Sequence, residues 1–144
     1  MPWIDGAMPP HTTETVWNAG LAGTSVEANG KSLVVGPGEG WAPEDLLLAA
    51  AEGSFMSKLL ALADEASIEV LGYVSKGALS ERRTTGGTLA IGLMPCVIVG
   101  SNTDAVSLRG LAERVLREST VARVLGEHLR VALDVRTVAA KRDR

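Results

Sequence analysis

Residues 43–66, PEDLLLAAAEGSFMSKLLALADEA, form the longest apolar run in the chain, and their pattern restricts the fold more than any other segment. Pro43 suits the first turn of a helix, and Glu44 and Asp45 sit where the positive end of the helix dipole favours acids. At about 100° per residue the few polar side chains fall on several sides, so no clean solvent face exists. A helix that is mostly apolar all round is a buried one, so the spacing predicts a buried central helix over Pro43–Ala66. Its middle, Ala51–Ser57 (AEGSFMS), carries Gly53 and Ser54, both poorer helix formers than their neighbours. A small polar break in an otherwise strong helix needs a reason other than helix formation.

The rest of the composition bounds what surrounds this helix. With 144 residues the length fits one domain, residues 1–144, with a core large enough to need no disulfide or metal. Hydrophobic residues make up 46% of the chain but aromatics only 3%, so the core must be built from Leu, Val, Ala and Ile. The net charge of −3 argues against a nucleic-acid partner, whose binding faces are basic. Charge is unevenly distributed. Residues 1–72 hold ten acids against Lys31 and Lys58, net −8, and residues 73–144 hold twelve bases against seven acids, net +5. Halves of opposite sign attract, within a chain or between copies of it. The single cysteine, Cys96, excludes an intramolecular disulfide and fits a reducing compartment. MPWIDGAMPPHTTET lacks the basic and apolar regions of a secretory signal, and Glu52 and Lys58 interrupt the longest apolar block. The expectation is a cytoplasmic protein with no membrane partner.

Along the chain, residues 1–12 read as irregular, with Pro2, Pro9 and Pro10, and residues 139–144 as a frayed basic tail. Strand-like runs are expected at Thr13–Ala19, Ser25–Ala28 and Ser32–Val35, before the loop GPGEGWAP. Two long strands, Ile68–Leu79 and Thr88–Val99, follow the helix, with ERRTTGG as their turn. A second helical region is expected from Asp104, a plausible N-cap, to a stop at Gly126, with Leu108, Leu111, Val115 and Leu116 as its apolar stripe. A final strand, Leu129–Val138, alternates apolar residues with Arg130, Asp134 and Arg136. This order is α+β with a mainly antiparallel sheet.

The same order, with PEDLLLAAAEGSFMSKLLALADEASIEV at its centre, resembles the OsmC/Ohr family (osmotically inducible protein C and organic hydroperoxide resistance protein). The likeness covers Trp17 to Val138. It rests on the P-E-x-L-L-x-A-A helix start, on IGLMPCVIV in the strand pair, and on LRESTVARVLG in the second helical region. It implies antiparallel sheets around a long buried central helix in an intertwined homodimer. It also implies peroxiredoxin-like reduction of organic hydroperoxides in an oxidative stress response, by two cysteines at the dimer interface and with no cofactor. The first of those cysteines falls at Ser54, ten residues after Glu44, and the second at Ser119. Both positions are serine here. The arginine that activates the thiolate in the hydroperoxide-resistance branch has no counterpart before Arg82. Of the four family active-site parts only Glu44 remains, and a serine hydroxyl cannot enter the sulfenic-acid chemistry of a thiol peroxidase. The resemblance therefore implies a degenerate active site that binds a small hydrophobic ligand at the dimer interface, with Phe55, Lys58 and Arg123 as further pocket candidates.

Other chemistry stays open beside this. Ser54 and Lys58 lie at i and i+4, so a desolvated lysine could serve as base to a serine nucleophile in an ester or thioester hydrolase, with Glu44 as the alternative base. Against it, neither G-x-S-x-G nor S-x-x-K is present, and Lys58 would equally reach solvent over its own alkyl stem. Ser119 has no recognisable base and reads as packing or local capping. Cys96, in phase with Met94 and Ile98, reads as a small buried hydrophobe, the alternative being residual hydroperoxide reduction by its thiol. Arg109, Glu113 and Arg117 form an i, i+4 ladder suited to a solvated helix face. His11 and His128 are too isolated to suggest structural zinc.

Overall fold

The computed structural model describes residues 11–82 and 88–139, so residues 83–87 of the expected ERRTTGG turn and most of both termini lie outside the described residues. The chain divides into two compact units, Met1–Leu46 and Leu47–Arg144.

In the first unit, β1 (Thr13–Ala19), β2 (Ala22–Glu27) and β3 (Ser32–Val35) form an antiparallel sheet in the order β1-β2-β3. Strands β1 and β3 have the expected bounds. β2 starts three residues earlier than expected because Gly23 belongs to it, paired with Trp17. A Cβ there would lie 2.8 Å from the Val16 carbonyl oxygen, so the close approach of β1 requires glycine at a position that reads as a strand breaker. The GPGEG loop is closed by Trp41 N–H donating to the Val34 carbonyl (2.9 Å) and Gly36 N–H donating to the Trp41 carbonyl (3.0 Å). Every residue of β1 is exposed, Trp17 by 73%.

The unit boundary falls within α1 (Pro43–Glu65). Its end is a Schellman motif without glycine: Ile68 N–H donates to the Ala63 carbonyl and Ser67 N–H to the Asp64 carbonyl, with Ser67 at φ 57°. The second unit continues with β4 (Val70–Arg82) and β5 (Thr88–Gly100), a long antiparallel pair. α2 (Ala105–Glu118) and α3 (Thr120–Leu125) follow, then a short 3-10 turn at Gly126–His128, β6 (Leu129–Val131) and β7 (Asp134–Val138). Asp104 caps α2 as expected, its carboxylate accepting from Val106 N–H at 2.9 Å. The expected single strand Leu129–Val138 is two, because Ala132 N–H turns to the Leu93 carbonyl and Arg109 donates to the Leu133 carbonyl. Both halves run parallel to β5, so this sheet is mixed: the long β4–β5 pair is antiparallel, as the expected mainly antiparallel arrangement requires, and the β6 and β7 pairings are the exception. The two helices between Gly100 and Leu129 form the crossover that a parallel pair requires.

The core lies between α1, α2 and one face of β5. It includes Phe55 and Leu59 from α1, Leu93 and Val97 from β5, and Leu108 and Val115 from α2. Leu59 is fully enclosed, so Leu59→Ala would cost about 2–5 kcal/mol. α1 is long and apolar enough to cross a membrane, yet Ala51, Phe55, Leu59, Leu62 and Ala63 form a stripe packed into this core. Within one chain that stripe is the buried part of the helix, and Leu47 and Met56 are exposed. The polar residues off the stripe separate into two groups. Ser54, Ser57 and Lys58 lie to one side of it and Glu52 to the other, which is why no single polar face shows in the sequence.

Candidate functional site: a hydroxyl pair between two helical regions

Ser119 interrupts the helical region that was expected to run unbroken to Gly126. It adopts an extended conformation (φ −69°, ψ 130°), and its backbone serves both neighbours. Its N–H donates to the Val115 carbonyl at 2.8 Å, closing α2, and its carbonyl accepts from Arg123 N–H at 3.0 Å, opening α3. The expected capping is thus done by the backbone, and the side chain makes no capping bond. That hydroxyl meets Ser54 instead, oxygen to oxygen at 2.7 Å, across 65 positions of sequence. Ser119 is 5% exposed, and Ser54 is partly buried.

The pair lies in a cleft of about 400 Å³ with Ser57, Lys58, Ala61, Glu118 and Thr120. Ala61 is its one apolar side chain. The Glu118 carboxyl is held below its ordinary range by the hydrogen bond from Arg114 (3.1 Å), with smaller help from the charges of Lys58 and Arg117. Arg109, Glu113 and Arg117 are all exposed, as expected of a solvated helix face, but among the described residues the ion pair on α2 is Arg114–Glu118, and Arg109 holds the Leu133 carbonyl at 3.0 Å. Between them, two hydroxyls sharing one hydrogen bond keep one O–H proton free to donate, so the cleft can grip a polar group. It contains no thiol, and among the described residues no hydrogen bond joins Lys58 to Ser54.

The other expected site residues fall elsewhere. Phe55 is 2% exposed and belongs to the core, because it lies on the buried stripe of α1; it does not line the cleft. Arg123 is exposed on α3 and is absent from the cleft wall. Glu44 is exposed in the first turn of α1. Cys96 is in phase with Met94 and Ile98 as expected, but the buried phase of β5 is the other one, Leu93, Val97 and Val99. The thiol is therefore partly buried on the face away from the core, where Met94 is 55% exposed. There it lines a groove of about 490 Å³ with Lys76, Leu133 and Arg136.

A second polar cleft was missed by sequence reasoning. It measures about 300 Å³ and lies between α1 and β4, lined by Ala49, Glu52, Gly53, Met56, Tyr73, Val74 and Ser75. Tyr73 and Ser75 contribute to its wall, and their hydroxyl oxygens are buried without a hydrogen-bond partner among the described residues, each an omission that costs about 1–3 kcal/mol. Burial, reinforced by the Glu52 charge, pushes the Tyr73 phenol up to about 12. The Glu52 carboxylate reaches the sheet at Gly77, where an added Cβ would collide with its Oε1. A signal was available: Tyr73, Ser75 and Gly77 alternate along one face of β4, opposite the one acid in the middle of the apolar run.

No family model matches this sequence, and no curated protein matches it by sequence. Solved structures do match it in shape. An OsmC-like protein of unknown function from Vibrio cholerae is 14% identical with a TM-score of 0.74, covering 88% of this chain and 99% of its own. An organic hydroperoxide resistance protein OsmC from Legionella pneumophila is 17% identical with a TM-score of 0.64, covering 90% of this chain and 100% of its own. The organic hydroperoxide resistance protein OhrB of Bacillus subtilis is 19% identical with a TM-score of 0.61, covering 87% and 98%. Arriving from the sequence motifs and from the shape of the folded chain alike, the conclusion is that this protein has the OsmC/Ohr fold.

Proposed function

We propose that this chain is an OsmC/Ohr-type protein without thiol peroxidase activity, which holds a small hydrophobic molecule by a polar head at the Ser54–Ser119 pair. The observation that carries this reading is the 2.7 Å contact between the two hydroxyls, at the positions where the family resemblance expects two cysteines. Hydroperoxide reduction needs a thiolate that becomes a sulfenic acid and a second thiol to resolve it. The only cysteine, Cys96, lines a different groove from the serine pair. Apolar contacts beyond those of Ala61 and the Lys58 stem would come from a second copy of the chain. The exposed Leu47 and Met56 of α1 support such a homodimer, since large apolar side chains left in water favour association.

Hydroperoxide consumption with a dithiol reductant should be negligible for cumene and tert-butyl hydroperoxide. Turnover that disappears in Cys96→Ser would overturn this reading in favour of a Cys96 peroxidase. Sedimentation at micromolar concentration should show a dimer, and native mass spectrometry a retained ligand that is lost in Ser119→Val. A second reading, ester or thioester hydrolysis, draws on Lys58 lining the same cleft as Ser54. An ester panel with Lys58→Met separates it: activity abolished by that change would favour the hydrolase.

A further inference from the structure

We propose that the cleft between α1 and β4 is a binding site for a small primary alkylammonium ion, with Glu52, Tyr73 and Ser75 as its head-group ligands. It is independent of the Ser54–Ser119 reading, because its α1 residues Ala49, Glu52, Gly53 and Met56 lie on the other side of the buried stripe.

Three observations converge. The Tyr73 and Ser75 hydroxyls are buried and unpartnered among the described residues, although buried polar atoms are nearly always bonded. Both line the same cleft as the Glu52 side chain, which lies folded against the sheet instead of reaching into solvent. The missing side chain of Gly77 makes room for it: an ordinary residue there would collide with the carboxylate. A glutamate held inward beside two orphan hydroxyls offers one anionic acceptor and two neutral ones. An ammonium group carries three donors, no acceptor and one positive charge, and so matches the set in number and sign. A carboxylate ligand would be repelled by Glu52, and a neutral alcohol would leave the charge unmatched. Ala49, Met56 and Val74 supply apolar walls for an alkyl stem, and about 300 Å³ holds a short one.

The test uses n-hexylammonium at neutral pH, with hexan-1-ol and hexanoate as equal-length controls, followed by amide NMR shifts on the full chain. Hexylammonium should bind with a Kd on the order of 1 mM, shifting residues around Glu52 and Tyr73–Ser75, while both controls bind weaker by about tenfold or more. Glu52→Gln should weaken hexylammonium by about tenfold or more, and Tyr73→Phe and Ser75→Ala by about threefold each. Circular dichroism checks that each variant is folded; the ranking of the three ligands on wild-type protein stands whether or not it is. The site is overturned if hexylammonium binds no better than hexanol, if folded Glu52→Gln keeps wild-type affinity, or if the shifts map elsewhere. It is also overturned if the cleft refuses hexylammonium and Glu52→Gln dissociates an oligomer, since a side chain of a second copy would then be its occupant.

Discussion

Two pairs of hydroxyls flank the central helix, and they are in opposite states. Ser54 and Ser119 satisfy one another at 2.7 Å, tying α1 to the break between α2 and α3. Tyr73 and Ser75, neighbours on one face of β4, have no partner among the described residues. The first pair is already bonded within the chain and contributes to stability; the second carries a desolvation cost that a ligand could relieve. Taking away a hydroxyl should therefore have opposite consequences on the two sides of the same helix.

The largest expected effect converts the first pair into a covalent tie. Oxidised Ser54→Cys/Ser119→Cys should gain about 4 kcal/mol over its reduced form, from closing a loop of this length in the unfolded state. Denaturant melts with and without reductant measure the gain, and peptide mapping verifies the link. If the folded double variant forms no 54–119 crosslink under mild oxidation, the two positions are not interchangeable with a cysteine pair. Peroxidase activity should remain low even so, as the sequence has no arginine before Arg82 to activate the thiol.

Next in size, Ser119→Ala should cost about 1–2 kcal/mol, because it removes a bond and strands the partly buried Ser54 oxygen. The double change with Ser54→Ala should cost less than the two single changes together, as expected for partners in one bond. An additive result would mean that the two hydroxyls do not interact in solution.

Tyr73→Phe should leave stability unchanged at neutral pH or raise it by up to about 1 kcal/mol, since it removes an unmatched buried hydroxyl. The chain has one tyrosine, so phenolate absorbance reports this group alone. It should titrate near 12 in the folded protein and near 10 when unfolded. The folded state thus holds its proton more tightly. Its contribution is fully present below pH 10 and is lost as pH rises toward 12. Tyr73→Phe should flatten that alkaline loss. A native titration near 10 would place the phenol in water and remove the contrast between the two pairs. The smallest effect belongs to Gly77→Ala, within about 1 kcal/mol, because the colliding atom is the end of a flexible side chain. It should nonetheless displace the Glu52 carboxylate, and loss of hexylammonium binding with little change in melting temperature is the result to look for.

The legible parts of the fold were those with local chemical punctuation. Pro43 starts α1, Asp104 caps α2 and Gly126 follows α3 at φ 54°, each where its residue type suggests. The end of α1 was less plain, because Ser67 occupies the left-handed position that glycine usually marks. The break at Ser119 carries no proline or glycine to mark it, and its side chain bonds to a residue 65 positions away. The phase of β5 could not be read from Thr88–Gly100, where apolar residues occupy both faces; only contact with the helices selects Leu93 and Val97 over Met94 and Cys96. The meeting of Ser54 with Ser119 was legible through the family resemblance, not through the residues alone. The Glu52 cleft was overlooked because a lone acid in an apolar run reads as an interruption until the strand opposite it is known.

The mixed pairing of β5 has a consequence for the chain while it is being made. Its β4 neighbour precedes it in sequence, but the other edge is filled only by β6 and β7, which arrive after α2 and α3. Until Val138 has been synthesised, a long and largely apolar strand presents an open row of backbone donors and acceptors. Such an edge is a template for pairing with other chains. The ten residues Leu129–Val138 thus act as a closing seal, and a chain truncated ahead of them is left with that edge bare.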